Sequence, residues 1–141
     1  KICQAAVAML AKIGVTVNLD AIPKAQHFPK IQKRETDFYM LGWGVPTLDS
    51  HYVFSYLLDS EGSWNATGYA NPRVDEISRA ITSEIDIDKR TAMIDEAWNL
   101  IKDDKPYVPI HHQVLAWGST KNVDIPIAAD DALRPRFVVM K

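Results

Sequence analysis

The sequence predicts an α/β domain built on a mixed sheet with a βαβ unit and flanking helices. Residues 15–19 alternate between apolar and polar side chains, as in a strand with one buried face. Residues 38–42 form a nearly continuous apolar run, as in a short strand buried on both faces. A helical pattern over about residues 26–34 separates them, so the two strands should be parallel and joined by a right-handed crossover.

Composition places the chain among globular proteins. Its 141 residues are 47% hydrophobic and 24% charged, which suits one domain of ordinary size. A net charge of −2 argues against a nucleic-acid-binding protein, and no apolar run reaches the length of a membrane span. The single cysteine, Cys3, excludes an internal disulfide and a cysteine-rich zinc site.

The first helix is predicted over residues 2–13, where apolar side chains recur at helical spacing and Gly14 takes the C′ position. The chain has no initiator methionine and no signal-peptide layout, and this helix lacks an N-cap residue. Because the chain opens inside an amphipathic helix, we expect it to be a piece of a longer protein. In the next helix, Pro29 should fall within the first turn.

Polar caps predict the starts of three further helices. Asp49 should cap a helix over residues 50–58, and Asn71 with Pro72 should open the next one after a polar loop. The longest helix should begin at Asp86 or Asp88 and reach about residue 104. The inward residues of these last two helices are predicted to be Val74, Ile77, Ile81, Met93, Ile94, Ala97, Trp98 and Ile101.

The last third of the chain is predicted to contain extended structure. Residues 107–112 and 114–117 have strand patterns, residues 122–136 read as a loop, and residues 137–140 as a final strand.

The segment Gly42-Trp43-Gly44 is the candidate functional feature. Glycine on both sides of a large aromatic residue leaves the main chain open to close approach by a ligand. The segment follows a predicted strand, and ligands of open α/β sheets bind at the carboxyl ends of strands. The alternative is a tryptophan packed in a tight turn.

Several motifs, taken in order, resemble the family 5 extracellular solute-binding proteins, the receptors of dipeptide, oligopeptide and nickel ABC importers. Residues 8–19 resemble a helix and strand of the family, and residues 37–44 resemble its Gly-Trp-Gly strand. Residues 68–75 resemble its Gly-Tyr-x-Asn-Pro-x-Val-Asp signature. Residues 88–90, Asp-Lys-Arg, resemble the start of one of its helices, and residues 106–112 resemble a later Pro-containing strand. The family's members are several times longer and close two lobes on a ligand. The resemblance therefore implies that residues 1–141 form one C-terminal lobe, type II-like and incomplete, of a periplasmic binding protein.

The resemblance also implies partners and a site. The partners would be a peptide or other small solute, the missing N-terminal lobe and an inner-membrane ABC permease, with no nucleic acid and no cofactor. The exposed cleft face could also drive self-association. The implied ligand-binding residues are Gly42, Trp43, Gly44, Val45, Pro46, Thr47 and Asp49.

One residue departs from the family's pattern. Peptide-binding members carry an aspartate a few residues after the tryptophan, where it holds the ligand's α-ammonium group. Pro46 stands at about that position in this chain and cannot pair with a cation. Asp49 could substitute for it or serve as the helix cap.

Other polar residues are assigned structural roles. Asp75 and Arg90 are predicted to serve helix-end electrostatics. His111 and His112 point to opposite faces of a strand and should not share a metal ion, so neither a metal site nor a catalytic residue is predicted. The competing hypotheses are a small hydrolase that uses one of these histidines with Asp49, and a solute receptor serving chemotaxis or chaperoning.

Overall fold

The computed structural model describes residues 1–128 and 130–141 as a mixed arrangement of helices with one small antiparallel ladder. The elements, in order, are α1 (Ile2–Ala11), α2 (Lys24–Gln32), α3 (Ser50–Val53) continued by a π-helical turn (Phe54–Leu58), α4 (Pro72–Ala80), α5 (Ile87–Asp104), β1 (Val123–Asp124), a 3₁₀ turn (Pro135–Phe137) and β2 (Val139–Met140). Within the described ranges, no helix is both long and apolar enough to cross a membrane.

The core lies between α3 with its π-helical turn, α4 and α5. Asn71 caps α4 as predicted, accepting hydrogen bonds from the amides of Arg73 and Val74 at 3.1 and 3.4 Å. The predicted inner face of α4 is fully buried against Phe54, Leu57 and Leu58 of the π-helical turn. The spacing of the apolar residues and the cap residue therefore predicted the position of this helix correctly.

Helix α5 is capped by Asp86, whose carboxylate accepts from the Lys89 amide at 3.0 Å. Ala97 and Ile101 are buried in the core, and Met93 and Ile94 pack against it, as predicted. Trp98 instead lies at the edge of the core. Its ring packs on Phe54 at 5.0 Å, and its indole N–H donates to a serine hydroxyl of α3.

The polar loop before α4 is held in shape by a buried side chain, Asn65. Its amide nitrogen donates to the carbonyls of Asp59 and Tyr69 at 3.0 and 2.6 Å, and its oxygen accepts from the Gly68 and Tyr69 amides. One side chain thus satisfies four backbone groups of the loop.

The predicted βαβ unit is wrong for the chain as the structure describes it. Residues 15–19 and 38–42 are not paired, and the predicted strands over 107–112 and 114–117 are also outside any ladder among the described residues. The ladder that does form joins Val123 to Met140 and Asp124 to Val139, so the final strand is confirmed only in part.

The physical reason is that alternation and apolarity record which side chains suit a sheet, not whether a partner strand is present. Parallel pairing is slightly weaker per residue than antiparallel pairing, and two strands alone are marginal in water. A parallel sheet also requires cover on its faces. The first helix gives little cover here, because Ile2, Met9 and Ile13 on its predicted inner face are exposed.

Helix α2 begins at Lys24, two residues before the predicted start, and ends at Gln32. Pro29 therefore lies in the interior of the helix, beyond the first turn, where it removes one intrahelical amide donor. Ile31 is fully buried, and Phe28 meets the ring of Trp64 edge-on at 5.4 Å. Because Trp64 packs against the core, Phe28 attaches α2 to the edge of the core.

Candidate functional site

The glycine turn, defined as residues 42–49, contains every predicted ligand-binding residue. The segment before it is anchored by side chains. The Tyr39 and Tyr107 hydroxyls are 3.1 Å apart, and the imidazole of His27 bonds to the Met40 carbonyl at 3.0 Å. Burial and the bond with Tyr107 raise the pKa of Tyr39 above its ordinary value, so this phenol stays neutral.

Gly42 and Gly44 are exposed, with open space around them. A Cβ built on either residue would meet no other atom within 4 Å. No amide from residues 38–44 donates a hydrogen bond within the described part of the chain. The amides of this segment are therefore free to pair with an incoming extended chain, whereas the Met40 carbonyl already accepts from His27.

Trp43 is turned toward the core. Its ring centroid lies 6.0 Å from those of Tyr52 and Tyr56 and 5.9 Å from that of Trp64. Its indole nitrogen is buried without a hydrogen-bond partner in the described residues. The packed arrangement considered from the sequence is therefore present, whereas solute contact by this ring stays a prediction.

Residues 45–48 form a tight turn that explains Pro46. The Leu48 amide donates to the Val45 carbonyl at 3.0 Å, which places the proline at the position of a β-turn that favours its fixed φ. Leu48 has a φ of 55°, a left-handed conformation that is unusual for leucine. Thr47 follows Pro46, and its hydroxyl accepts from the Asp49 amide at 3.4 Å.

Asp49 is the N-cap, as predicted, and also pairs with a distant cation. Its carboxylate accepts from the His51 amide at 2.8 Å and from the guanidinium of Arg90 at 2.9 Å. The bond from Arg90 and the bond from the His51 amide hold the pKa of Asp49 below its ordinary value. The carboxylate is thus ionised, and both donors bond to its Oδ1 atom.

Arg90 is the residue whose role sequence reasoning missed. It lies in the first turn of α5, yet its guanidinium leaves that helix to reach Asp49 and the Ile81 carbonyl. A signal was present, because a cation at a helix N-terminus opposes the helix dipole and suggests an anionic partner elsewhere. Asp75 also acts outside its helix, accepting from the amide and hydroxyl of Ser60 at 2.9 and 2.6 Å.

A shallow, open depression of about 450 Å³ adjoins the end of the glycine turn. It is lined by Thr47, Asp49, His51, Tyr52, Ile81, Thr82, Glu84 and Arg90. Asp49 and Arg90 pair with each other in this lining, and Glu84 pairs with Lys89, so these three charged side chains already have partners.

The remaining candidate residues lie apart from this site. His111 and His112 are exposed in the segment after α5. Across residues 1–128 and 130–141, no group of three or more His, Cys, Asp and Glu side chains is arranged as metal ligands. Cys3 has a free thiol, and its sulfur lies 3.3 Å from that of Met40.

No protein-family model matches the chain. Among curated proteins, the chain is 25% identical over 132 residues to the glutathione-binding protein GsiB of Salmonella typhimurium, covering 87% of this chain and 26% of the relative. It is 25% identical to a dipeptide-binding protein of Pseudomonas aeruginosa over 80% of this chain and 22% of the relative. It is 26% identical to the probable D,D-dipeptide-binding periplasmic protein DdpA of Escherichia coli, over 81% and 23%.

The chain spans about a quarter of the length of these relatives. Each of the three is named as a binding protein rather than as an enzyme. The similarity extends over most of this chain, and it confirms the resemblance to the family 5 extracellular solute-binding proteins that the motifs predicted.

Proposed function

We propose that this chain is the C-terminal lobe of a solute-binding component of an ABC importer. The complete receptor captures a peptide or other small solute between two lobes and delivers it to an inner-membrane permease. The observation that carries the proposal is the open backbone at Gly42 and Gly44, in a chain similar to peptide- and glutathione-binding proteins. One of these relatives is named as periplasmic, which supports a periplasmic location.

The glycine turn supports recognition by strand addition. In this mode an extended ligand pairs its main chain with exposed amides and carbonyls, and side-chain identity matters less. The free amides of residues 38–44 and the absence of side chains at the two glycines suit such a ligand. Val45, Pro46 and Thr47 would then border the end of the bound chain.

Charge at this site favours solutes without a free α-ammonium group at this end. Pro46 offers no charge, and the charge of Asp49 is already paired with Arg90 through Oδ1, which also accepts from the His51 amide. Burying an ammonium group without a partner costs several kcal/mol, which would abolish useful affinity. Blocked peptides or non-peptide solutes are therefore the preferred class.

A second lobe is part of the proposal. Apolar side chains of α1 and of the segment after α5 are exposed, as would suit surfaces that pack against further parts of a longer receptor. An isolated lobe would supply only part of an enclosed site, so we expect weak or no binding by the 141-residue chain alone. Its exposed faces should promote self-association, which sedimentation at rising concentration would reveal.

The relatives' names favour binding over the hydrolase alternative. A receptor role in chemotaxis or chaperoning would use the same capture step and differ in what the closed protein contacts.

The test is calorimetry of the complete receptor with matched short peptides, free and N-acetylated. We expect the wild type to prefer the acetylated member of each pair. Pro46→Asp should improve binding of the free peptide, whereas Pro46→Asn, the uncharged control, should not. A wild-type preference for free amino termini with no gain from Pro46→Asp would contradict the proposed specificity, and no binding of any peptide would remove the peptide assignment.

A further inference from the structure

Arg90 joins three parts of the molecule through one guanidinium group. Its Nη2 donates to the Asp49 carboxylate at 2.9 Å, and its Nε donates to the Ile81 carbonyl at 3.1 Å. Asp49 ends the glycine turn, Ile81 is the C-cap of α4, and Arg90 lies in the first turn of α5. The group therefore fixes the end of the turn against the junction of the two core helices.

The glycine turn has few bonds of its own. Within the described residues, the amides of 42–49 make one backbone bond, from Leu48 to Val45, and one long bond from Asp49 to the Thr47 hydroxyl. Leu48 is 77% exposed and holds a left-handed φ of 55° with no packing to enforce it. Trp43 packs against the core at the start of the turn, but these contacts do not account for a fixed position of residues 45–48.

The ion pair between Arg90 and Asp49 has the properties of a fixed connection rather than of an exposed surface ion pair. The side chains of Arg90 and Asp49 are 28% and 37% exposed, so both are partly shielded from water. The planar fork of arginine allows two donors to reach two acceptors on different elements, which a lysine cannot reproduce. By contrast, the neighbouring Lys89 pairs with Glu84 while largely exposed.

We propose that Arg90 is a positioning residue for solute binding, acting through Asp49 to hold the glycine turn in its binding geometry. The inference rests on the proposed function, because that function makes the turn the solute site. Arg90 itself does not need to touch the solute. Its removal frees the end of the turn, and an open backbone that samples many positions pairs less well with an extended ligand.

The direct experiment measures backbone ¹⁵N relaxation in the 141-residue chain without solute. In Arg90→Met we expect the order parameters of residues 45–49 to fall from roughly 0.85 to below about 0.6. Those of α4 and α5 should be unchanged, as should the turn in the control variant Lys89→Gln. Asp49→Ser, whose shorter side chain keeps a capping oxygen for the His51 amide but ends short of Arg90, should mobilise the turn to a similar extent, and the double variant should add little.

An unchanged turn in both Arg90→Met and Asp49→Ser would overturn the inference. Equal loosening of the turn and both helices would also overturn it, because the contact between Arg90 and Asp49 would then be a general stabilising contact. If Arg90→Met does not fold, Asp49→Ser alone decides between these outcomes.

Solute affinity of the complete receptor separates this inference from the proposed function. We expect Arg90→Met to weaken binding of an N-acetylated peptide about tenfold, with Lys89→Gln unchanged. A wild-type receptor that binds no peptide would refute the proposed function while leaving the relaxation result intact. A receptor that binds equally well with and without Arg90 would refute the positioning role alone.

Discussion

The helical core, residues 49–104, differs from the outer segments in how far its apolar side chains are buried. The outer segments are residues 1–22, 105–128 and 130–141. The buried residues are confined to the core and to Ile31 of α2, and no described residue of the outer segments is buried. In the core, helices are capped by Asp49, Asn71 and Asp86 and covered on their apolar faces. In the outer segments, apolar side chains such as Ile13 and Val114 face solvent.

The difference shows which structural elements can form from contacts within this chain alone. A helix satisfies its backbone within itself, so three helices and one ordered loop can close a small core. An extended segment must find its partner elsewhere, and residues 38–44 and 107–117 donate no backbone amide to the rest of the described chain. The predicted solute site lies at the boundary, where an unpaired segment enters the core at Trp43.

The largest expected difference between the two regions is the effect of removing an apolar side chain. Ile77 is fully buried, whereas Ile13 is 74% exposed. Ile77→Ala should lower the free energy of unfolding by about 2–5 kcal/mol, because it leaves a cavity. Ile13→Ala should stay within roughly 0.5 kcal/mol of wild type. Urea unfolding followed by circular dichroism checks both, and equal effects would show that the first helix is also packed.

A second comparison adds a methyl group to a glycine in each region. A Cβ at Gly62 would lie 2.7 Å from the Tyr56 carbonyl oxygen and 2.9 Å from that of Asp59, both rigid backbone atoms. Gly62→Ala should therefore cost about 1–3 kcal/mol. Gly118 has open space around it, so Gly118→Ala should change the unfolding free energy by less than about 0.5 kcal/mol. A tolerated Gly62→Ala would indicate that the loop before α4 can shift freely.

The cap of α4 should have a smaller effect. Asn71 accepts from two amides of the first turn and donates to the Asp104 carboxylate at 2.8 Å. Asn71→Ala should lower the unfolding free energy by about 1 kcal/mol. Thermal unfolding measures this, with Asn18→Ala in an outer segment as the control, and equal melting temperatures for the two variants would contradict the assignment.

The smallest expected effect is a pH dependence at the boundary of the two regions. The folded-state pKa of Asp49 lies below its unfolded value, so its contribution is fully present above the unfolded pKa and is lost as the pH falls through the folded pKa. The stability difference between wild type and Asp49→Asn should be constant near neutral pH and shrink below roughly pH 4.

In an Arg90→Met background, the same comparison should show a weaker pH dependence, because the guanidinium is the largest cause of the pKa shift. Denaturant titrations at a series of pH values provide the measurement. A difference that persists unchanged into strong acid would mean that the charge of Asp49 contributes nothing.

The parts of the fold that were predicted correctly depend on local signals. A cap residue followed by apolar side chains at helical spacing located α4 and α5, and the helix after Asp49, because those interactions lie within a few residues of one another. The strands were not predictable in this way, since alternation over residues 15–19 says nothing about which chain pairs with them. Arg90 was missed for the same reason: its partner is 41 residues distant.

The candidate site likewise combines features that follow from local sequence with features that depend on tertiary contacts. The open glycines and the cap at Asp49 could be identified from the sequence, because both follow from residue type and immediate neighbours. The inward turn of Trp43 and the commitment of Asp49 to Arg90 depend on tertiary contacts.

The central claim is that the backbone amides of residues 38–44, before and within the glycine turn, are free to pair with a ligand. Residue-resolved amide hydrogen exchange on the isolated chain tests this claim most directly. Amides within α4 and α5 should exchange slowly, through opening of the whole core. Amides of residues 38–44 should exchange at nearly the rate of an unfolded peptide, although Trp43 packs on the core, because no acceptor is bonded to them. Protection of residues 38–44 comparable with that of the helices would show that this backbone is already paired and would contradict the account.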